Sequence, residues 1–200
     1  MSARPDRARV ATSADVDAIV DTLTTAFFHD PLWGPAFPDT EHRAAQAAPM
    51  WRLYATSALR YSWLLVTQNV EAAAVWIPPG GDELTPQEAA GLKSLLERAA
   101  DPAVARTVLD NADRFEAARP AEPHFYLTLL ATHDRHRGHG LGMRLLADSL
   151  ERIDALGAPA YLESSNPSNL ARYASVGFSA RDRITTPTGH VVTTMWRPGR

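Results

Sequence analysis

The chain has no cysteine, which removes disulfides, thiolate metal sites and a cysteine nucleophile, and fits a reducing compartment such as the cytoplasm. It also lacks any run near the roughly 18 apolar residues that a membrane span needs. The opening Met1–Arg9 carries charge with no apolar stretch behind it, so neither an anchor nor a signal peptide is expected. Nor is there an excess of one charge: 20 Lys and Arg stand against 23 Asp and Glu, a formal net charge of -3, with the signs interspersed. Without a basic stripe, nucleic acid and anionic membranes are poor partners and a small molecule is the better one. The 7 histidines show no metal-ligand spacing with a carboxylate, so no metal is expected. No low-complexity stretch divides the 200 residues, and 45% of them are hydrophobic, enough to build one core. A single domain over 1–200 is expected, as a monomer or a homodimer.

Punctuation and periodicity divide the chain into elements. Val10–Thr12 reads as a short strand, and Ser13 as the cap of a helix whose Val16, Ile19, Val20, Leu23 and Phe27 recur at helical spacing until Pro31 stops it. An aromatic, Pro- and Gly-broken segment, Phe27–Pro35, follows, then a helical stretch over about 41–60 with Pro49 as a kink. Ser62–Thr67 and Ala72–Ile77 read as a hairpin closed by Pro78–Gly81. Thr85 caps a helix that has Pro86 at its first position, and Pro102–Ala118 is a further helix. The last third reads as strand Phe125–Thr132, helix Leu141–Leu156, strand Ala160–Ser164, short helix Ser168–Ser175, and strands near Phe178–Ile184 and His190–Trp196. That is a strand-helix-strand unit closed by antiparallel strands, an α/β (α+β) arrangement.

Chemistry concentrates between the strand ending at Thr132 and the helix beginning at Leu141. His133–Asp134–Arg135–His136–Arg137–Gly138–His139–Gly140–Leu141–Gly142 puts glycines and cations at a helix start, where backbone N–H groups are free. A pyrophosphate has to approach the backbone closely, which a Cβ would prevent. A P-loop fails for want of Gly-Lys-Ser/Thr, and the Rossmann spacing fails because Met143 stands three residues after Gly140.

This stretch resembles the R/Q-x-x-G-x-G/A motif of the GNAT superfamily of acetyltransferases. Arg135-x-x-Gly138-x-Gly140 and Arg137-x-x-Gly140-x-Gly142 both match it, and only the second leads directly into the helical face beginning at Leu141. A second likeness is Glu163–Phe178, which resembles the family's closing segment: a strand, an Asn, a Tyr seven residues on, then Gly-Phe. Ala160–Ser165, Asn169–Leu170 and the ending Met195–Gly199 resemble the puromycin N-acetyltransferase-like branch. The first 60 residues match only loosely.

The resemblance implies a GNAT-like fold: a mixed, mostly antiparallel central sheet flanked by helices, with a splayed pair of parallel strands. It implies acetyl-CoA as cosubstrate, lying in the V between the strands ending at Thr132 and Ser164. Leu130, Ala131 and Thr132 would bond the pantetheine arm. Arg137, Gly138, His139, Gly140, Leu141 and Gly142 would hold the pyrophosphate, with Met143 beside them, and Asn166 and Asn169 would meet the arm from the other side. Tyr173 stands at the family's general-acid position; a phenol near pKa 10 against a thiol near 8.5 is a usable donor when transfer is concerted with bond cleavage. For the base, Glu163, His124, Tyr126 and a chain of waters all remain open. Phe28 and Trp33 are the candidate walls of the acceptor pocket, with Glu163 nearby, whereas Phe27, Trp63 and Trp76 read as core. The expected function is direct acetyl transfer to a small-molecule amine, antibiotic- or aminonucleoside-like; transfer to a protein amine and non-catalytic CoA sensing are the competing readings. With no strong base in view, a weakly basic α-amine, at about 7.7 to 8.0, suits the enzyme better than a lysine-like amine at about 10.4.

Overall fold

The computed structural model describes residues 8–200; the basic opening residues before them lie outside the description. In chain order the elements are β1 (Arg9–Val10), α1 (Val16–Phe27), α2 (Trp33–Ala36), α3 (Arg43–Ala58), β2 (Leu64–Val66), β3 (Ala72–Ile77), α4 (Pro86–Ala99), α5 (Pro102–Ala118), β4 (Phe125–Thr132), α6 (Leu141–Asp154), β5 (Ala160–Ser164), α7 (Leu170–Ser175), β6 (Ser179–Thr185) and β7 (Val191–Arg197). The strands form one seven-stranded sheet in the order β1-β2-β3-β4-β5-β7-β6. Every neighbouring pair is antiparallel except β4 and β5, which α6 connects as a parallel pair.

Period-two alternation splits the core between the two faces of this sheet. Val66, Ala73, Val75 and Leu129 turn toward α1, α3, α4 and α5, where Ile19, Leu23, Met50 and Trp51 meet them. Leu65, Ala74, Trp76 and Leu127 turn the other way, onto Leu145, Leu146, Leu150 and Ile153 of α6. A strand covered on both faces reads as a continuous apolar run, and Ala72–Ile77 does. Trp76 is fully buried and so belongs to the core as expected; Trp63 is half-buried, packed against Phe125 at 4.4 Å beneath the Arg152 guanidinium.

Two expectations at the amino-terminal end need correction. The cap is Thr12 and not Ser13: the Asp15 carboxylate accepts from the Thr12 N–H at 2.8 Å and from its hydroxyl at 2.9 Å, closing a capping box around a 3-10 turn, Ser13–Asp15. Thr12 is therefore withdrawn from the strand, and β1 is only Arg9–Val10. The helix expected over 41–60 is Arg43–Ala58 and runs on through Pro49. Thr85 caps α4 as expected, accepting from the Glu88 N–H.

One ion pair ties the far end of the sheet to α6. The Arg197 guanidinium on β7, 3% exposed at its side chain, makes a two-point contact with Asp154 at 2.5 and 2.7 Å and donates to the Val176 carbonyl at 2.9 Å. This bonding holds the Asp154 carboxyl below its ordinary range. A depressed carboxyl stabilises the fold at pH values above its unfolded pKa, and the contribution fades as the pH falls through the folded one. Asp154→Ala, which strands a buried cation, should cost about 3 kcal/mol by urea titration at pH 7, and the difference from the parent should shrink on acidification below about pH 4.

Candidate active site

β4 and β5 pair over three residues only, Phe125–Leu127 against Ala160–Leu162. Beyond that point β4 stays with β3 as far as Thr132, and β5 stays with β7 as far as Ser164. The strands diverge, and the edge of β4 facing the gap loses its strand partner, so alternate residues of Thr128–Thr132 offer unpaired N–H and C=O groups there. A cavity opens at the divergence, with Leu127–Leu130 on one arm and Leu162–Ser165 on the other.

The glycine-rich turn lies at the open end of this V. Gly138 and Gly140 adopt φ of 84° and 73°, a left-handed conformation that side-chain-bearing residues rarely take, and a Cβ on either would meet nothing within 4 Å. They serve the path of the backbone and leave open space beside it. Gly140 is the cap residue of α6, with no side chain occupying the free N–H groups of the first turn. Gly142 is different: a Cβ there would come within 2.7 Å of the Thr132 hydroxyl oxygen, so the helix start is pressed against the end of β4. Arg137 donates to the Ala26 carbonyl at 2.7 Å, His133 reaches Asp21 at 3.2 Å, and Arg135 and His139 are exposed. An exposed, cationic turn with unencumbered N–H groups fits a pyrophosphate.

The other arm carries the titratable groups. Glu163 is the first residue past the paired stretch of β5, and its Oε2 accepts from the Tyr126 hydroxyl at 2.5 Å. Glu163 Oε1 and the Tyr161 hydroxyl are buried without a well-aligned partner. Burial pushes the Glu163 carboxyl up to about 7, against the pull of the Tyr126 and Tyr161 hydroxyls. Tyr173, on α7, lines the same cavity with its ring edge-on to Phe178. Burial, and then the Asp30 charge, raises its hydroxyl to about 12, so it stays protonated throughout the neutral range.

The expected residues do not all converge. Leu130, Asn169, Tyr173, Glu163 and Trp33 line the cavity. Asn166 instead uses its side-chain oxygen to accept from the Ser168 N–H at 3.0 Å, shaping the turn before α7. Phe28 is a correction: it faces a smaller neighbouring cavity, under the Arg43 guanidinium at 5.0 Å, while Phe27, packed against the core as expected, also lines the main one. Both sit at the end of α1, where successive residues point about 100° apart, so only one can face the V. His124, one of the open base candidates, is not in the cavity wall; its Nδ1 lies 2.6 Å from the Glu122 carbonyl and burial lowers its pKa.

Sequence reasoning missed Asp30, Trp51, Tyr54 and Glu83, which complete the wall. Asp30 accepts from the Leu32 and Trp33 N–H groups and from the Ser165 hydroxyl at 2.7 Å, strapping the loop after α1 to the end of β5. A local signal existed for Asp30 in Asp-Pro before a short helix; none existed for the other three.

Residues 91–178 match the Acetyltransferase (GNAT) family. Among solved structures, the chain is similar to the protein described as histone acetyltransferase HPA2 and related acetyltransferase from Corynebacterium glutamicum, at 25% identity over 98% of this chain and 97% of that one, with a TM-score of 0.71. It is also similar to arylalkylamine N-acetyltransferase 2 from Aedes aegypti (16% identity, 96% and 98% of the two chains, TM-score 0.67). A third similar structure is an agmatine N-acetyltransferase (16% identity, 96% and 98%, TM-score 0.58). The mostly antiparallel sheet with its one parallel pair is the fold of that family.

A carboxyl raised on folding weakens the fold as it ionises: the contribution of Glu163 is best below its unfolded pKa and is lost as the pH rises through about 7. Glu163→Gln should therefore unfold at a higher urea concentration than the parent at pH 8, by on the order of 2 kcal/mol, with no gain at pH 4. Equal gains at both pH values would show that the carboxyl is not raised.

Proposed function

We infer that this GNAT-type N-acetyltransferase, with acetyl-CoA as its cosubstrate, puts the acetyl group directly on the amine of a small molecule, residues 1–200 acting as one domain. The observation that carries this reading is the cavity at the divergence of β4 and β5, which is lined by Glu163 and Tyr173 together with Phe27, Trp33, Trp51 and Tyr54. A protein amine needs an open groove, whereas beside this space the α1–α2 loop is strapped to the end of β5 by the Asp30–Ser165 contact, which narrows the approach. Aromatic walls beside carboxylates suit an amine with an apolar or planar body. Solved relatives named for arylalkylamines and agmatine are in keeping with such an acceptor. The Ala160–Ser165 and Met195–Gly199 resemblance to puromycin N-acetyltransferases supports an aminonucleoside- or antibiotic-like one.

The residues divide the work as follows. Arg137, Gly138, His139, Gly140, Leu141 and Gly142 hold the pyrophosphate on the exposed turn, with Met143 packed behind it. The unpaired edge of β4 at Leu130, Ala131 and Thr132 bonds the peptide-like pantetheine, and Asn169, with Asn166 behind it, closes the other side. The cosubstrate supplies a thioester carbonyl. Glu163 takes a proton from the ammonium form of the amine; the freed nitrogen lone pair forms the C–N bond as the C–S bond breaks, and the Tyr173 hydroxyl protonates the departing sulfur. The second proton on the acetylated nitrogen passes to the Tyr173 oxygen and Glu163 returns its own to solvent, so an amide, a thiol and one released proton are the net products. A hydroxyl at about 12 facing a thiol near 8.5 makes stepwise proton transfer unfavourable by about 5 kcal/mol. Tyr173 therefore acts through a hydrogen bond that strengthens as charge grows on sulfur.

Carboxylate and acceptor are matched in basicity. A Glu163 near 7 takes a proton from an α-amine at about 8 nearly without cost, and from a lysine-like amine at about 10.4 at a cost of about 5 kcal/mol. In a thiol-release assay with an amine panel including aminonucleosides, weakly basic amines should give the higher kcat/KM, and faster turnover of lysine-type amines would remove this acceptor class. Tyr173→Phe should lower kcat about 10- to 100-fold while acetyl-CoA still raises the melting temperature; unchanged turnover would end its role as the acid. A parent protein that binds acetyl-CoA yet releases no thiol with any amine would point to a sensor.

A further inference from the structure

The Tyr126–Glu163 hydrogen bond lies one step beyond the last parallel pairs, Tyr126 with Tyr161 and Leu127 with Leu162. It joins the two arms by side chains where main-chain pairing has just stopped. Tyr126 is itself held: the Arg119 guanidinium, at the end of α5, sits over its ring at 4.3 Å and pairs with Glu83 at 2.8 Å and Glu116 at 3.0 Å. Glu83 in turn accepts from the Thr128 hydroxyl, two residues along β4 from Tyr126. The side chains of Glu83 and Arg119 are only 22% and 18% exposed, so solvent screens their charges poorly.

A carboxylate is free to rotate about its last bond, and a single fixed donor on one oxygen removes that freedom. We propose that Tyr126 is a positioning residue that fixes the Glu163 carboxylate for taking the amine proton, and that the Glu83–Arg119 pair behind it sets the pH range over which Glu163 works. The proposal rests on Glu163 being the base. Glu83 opposes ionisation of Glu163, whereas Arg119 and the two tyrosine hydroxyls favour it. The other groups facing this cluster are Tyr54 on α3, Tyr161 on β5, His124 before β4, Arg181 on β6, and Asp30 and Tyr173 across the cavity. Tyr54, Tyr126 and Tyr161 are all pushed up by burial and stay neutral, and burial favours neutral His124. Of the charged groups, Glu83 and Arg119 are the two that act on Glu163, with opposite effects; Asp30 and Arg181 are the same in every variant compared below.

The test compares Tyr126→Phe, Glu83→Gln and Arg119→Gln with the parent by two readouts. One is the pH profile of kcat with a single amine, whose own ionisation is common to every arm. The other is a carbon-13 NMR titration of the Glu163 carboxyl, its signal identified by its loss in Glu163→Gln. Glu83→Gln should move both midpoints down by about half to one pH unit, and Arg119→Gln and Tyr126→Phe should move both up by a similar amount. Tyr126→Phe should also lower the plateau kcat about tenfold with little change in KM, because the carboxylate is no longer held. A variant that merely loosened the fold would not give shifts of opposite sign. Stationary midpoints in both readouts, or shifts of one sign in all three variants, would overturn the proposal. Midpoints that move as stated by NMR, with kcat profiles that do not follow, would overturn it by removing Glu163 as the base. Acetyl transfer and the Tyr173 result would be untouched by either outcome.

Discussion

A parallel pair of strands that separates after three residues leaves each strand with obligations on one side only. Backbone N–H and C=O groups inside a protein have to be paired, and β3 and β7 satisfy those of β4 and β5 on their outer edges. The inner edge of β4 past Leu127 faces a cavity in place of a strand. Much of the site follows from that geometry. The gap is peptide-shaped because a peptide strand would otherwise fill it, so a ligand with amide groups can complete the ladder. Its depth ends where pairing resumes, and its two walls carry residues from two strands that α6 and its turn had to connect.

The same separation explains the electrostatics. Glu163 occupies the first position past the pairing, where its side chain is still deep in the fold but no longer crowded by the neighbouring strand. Burial raises its carboxyl, and a tyrosine on the opposite strand partly offsets the rise. Across the cavity, burial and the Asp30 carboxylate act in the same direction on Tyr173 and keep it protonated. Two groups of different ordinary acidity are thus held in complementary states near neutrality, a proton acceptor and a proton donor, by environment alone. Asp30, Glu83 and Glu163 bring three carboxylates to the wall of this cavity.

The turn before α6 joins the two halves of the site. Glycine at 138 and 140 answers a backbone requirement, since both take left-handed φ. Glycine at 142 answers a packing requirement, because the helix start touches Thr132. One stretch of chain thereby sets the open end of the V in register with the free edge of β4.

Sequence patterns were most legible where the chain is punctuated. Pro78–Gly81, Thr85–Pro86 and the glycines of the 138–142 turn mark ends that side-chain chemistry dictates locally, so β3, α4, β4, α5 and the start of α6 fall where the residues indicate. Ends set by competition were harder to read: Thr12 could continue a strand or cap a helix, and the Asp15 carboxylate three residues on decided it. The motif residues were legible because they lie on one strand-turn-helix unit. The rest of the cavity wall did not declare itself. Periodicity set Phe27 on the core face of α1 and left Phe28 for the cavity, but the rotation of α1 against the sheet brings Phe27 to the cavity and Phe28 to the smaller one beside it. Trp51, Tyr54, Glu83 and Phe115 come from α3, α5 and the loop before α4, with no spacing that relates them. By itself the amino-acid sequence determined most of the elements, the turn chemistry and the glycine-rich motif, because these depend on neighbours a few residues away. The tertiary structure alone decided the wall of the cavity and the ionisation of Glu163 and Tyr173, because burial and charge act through space between residues far apart along the chain.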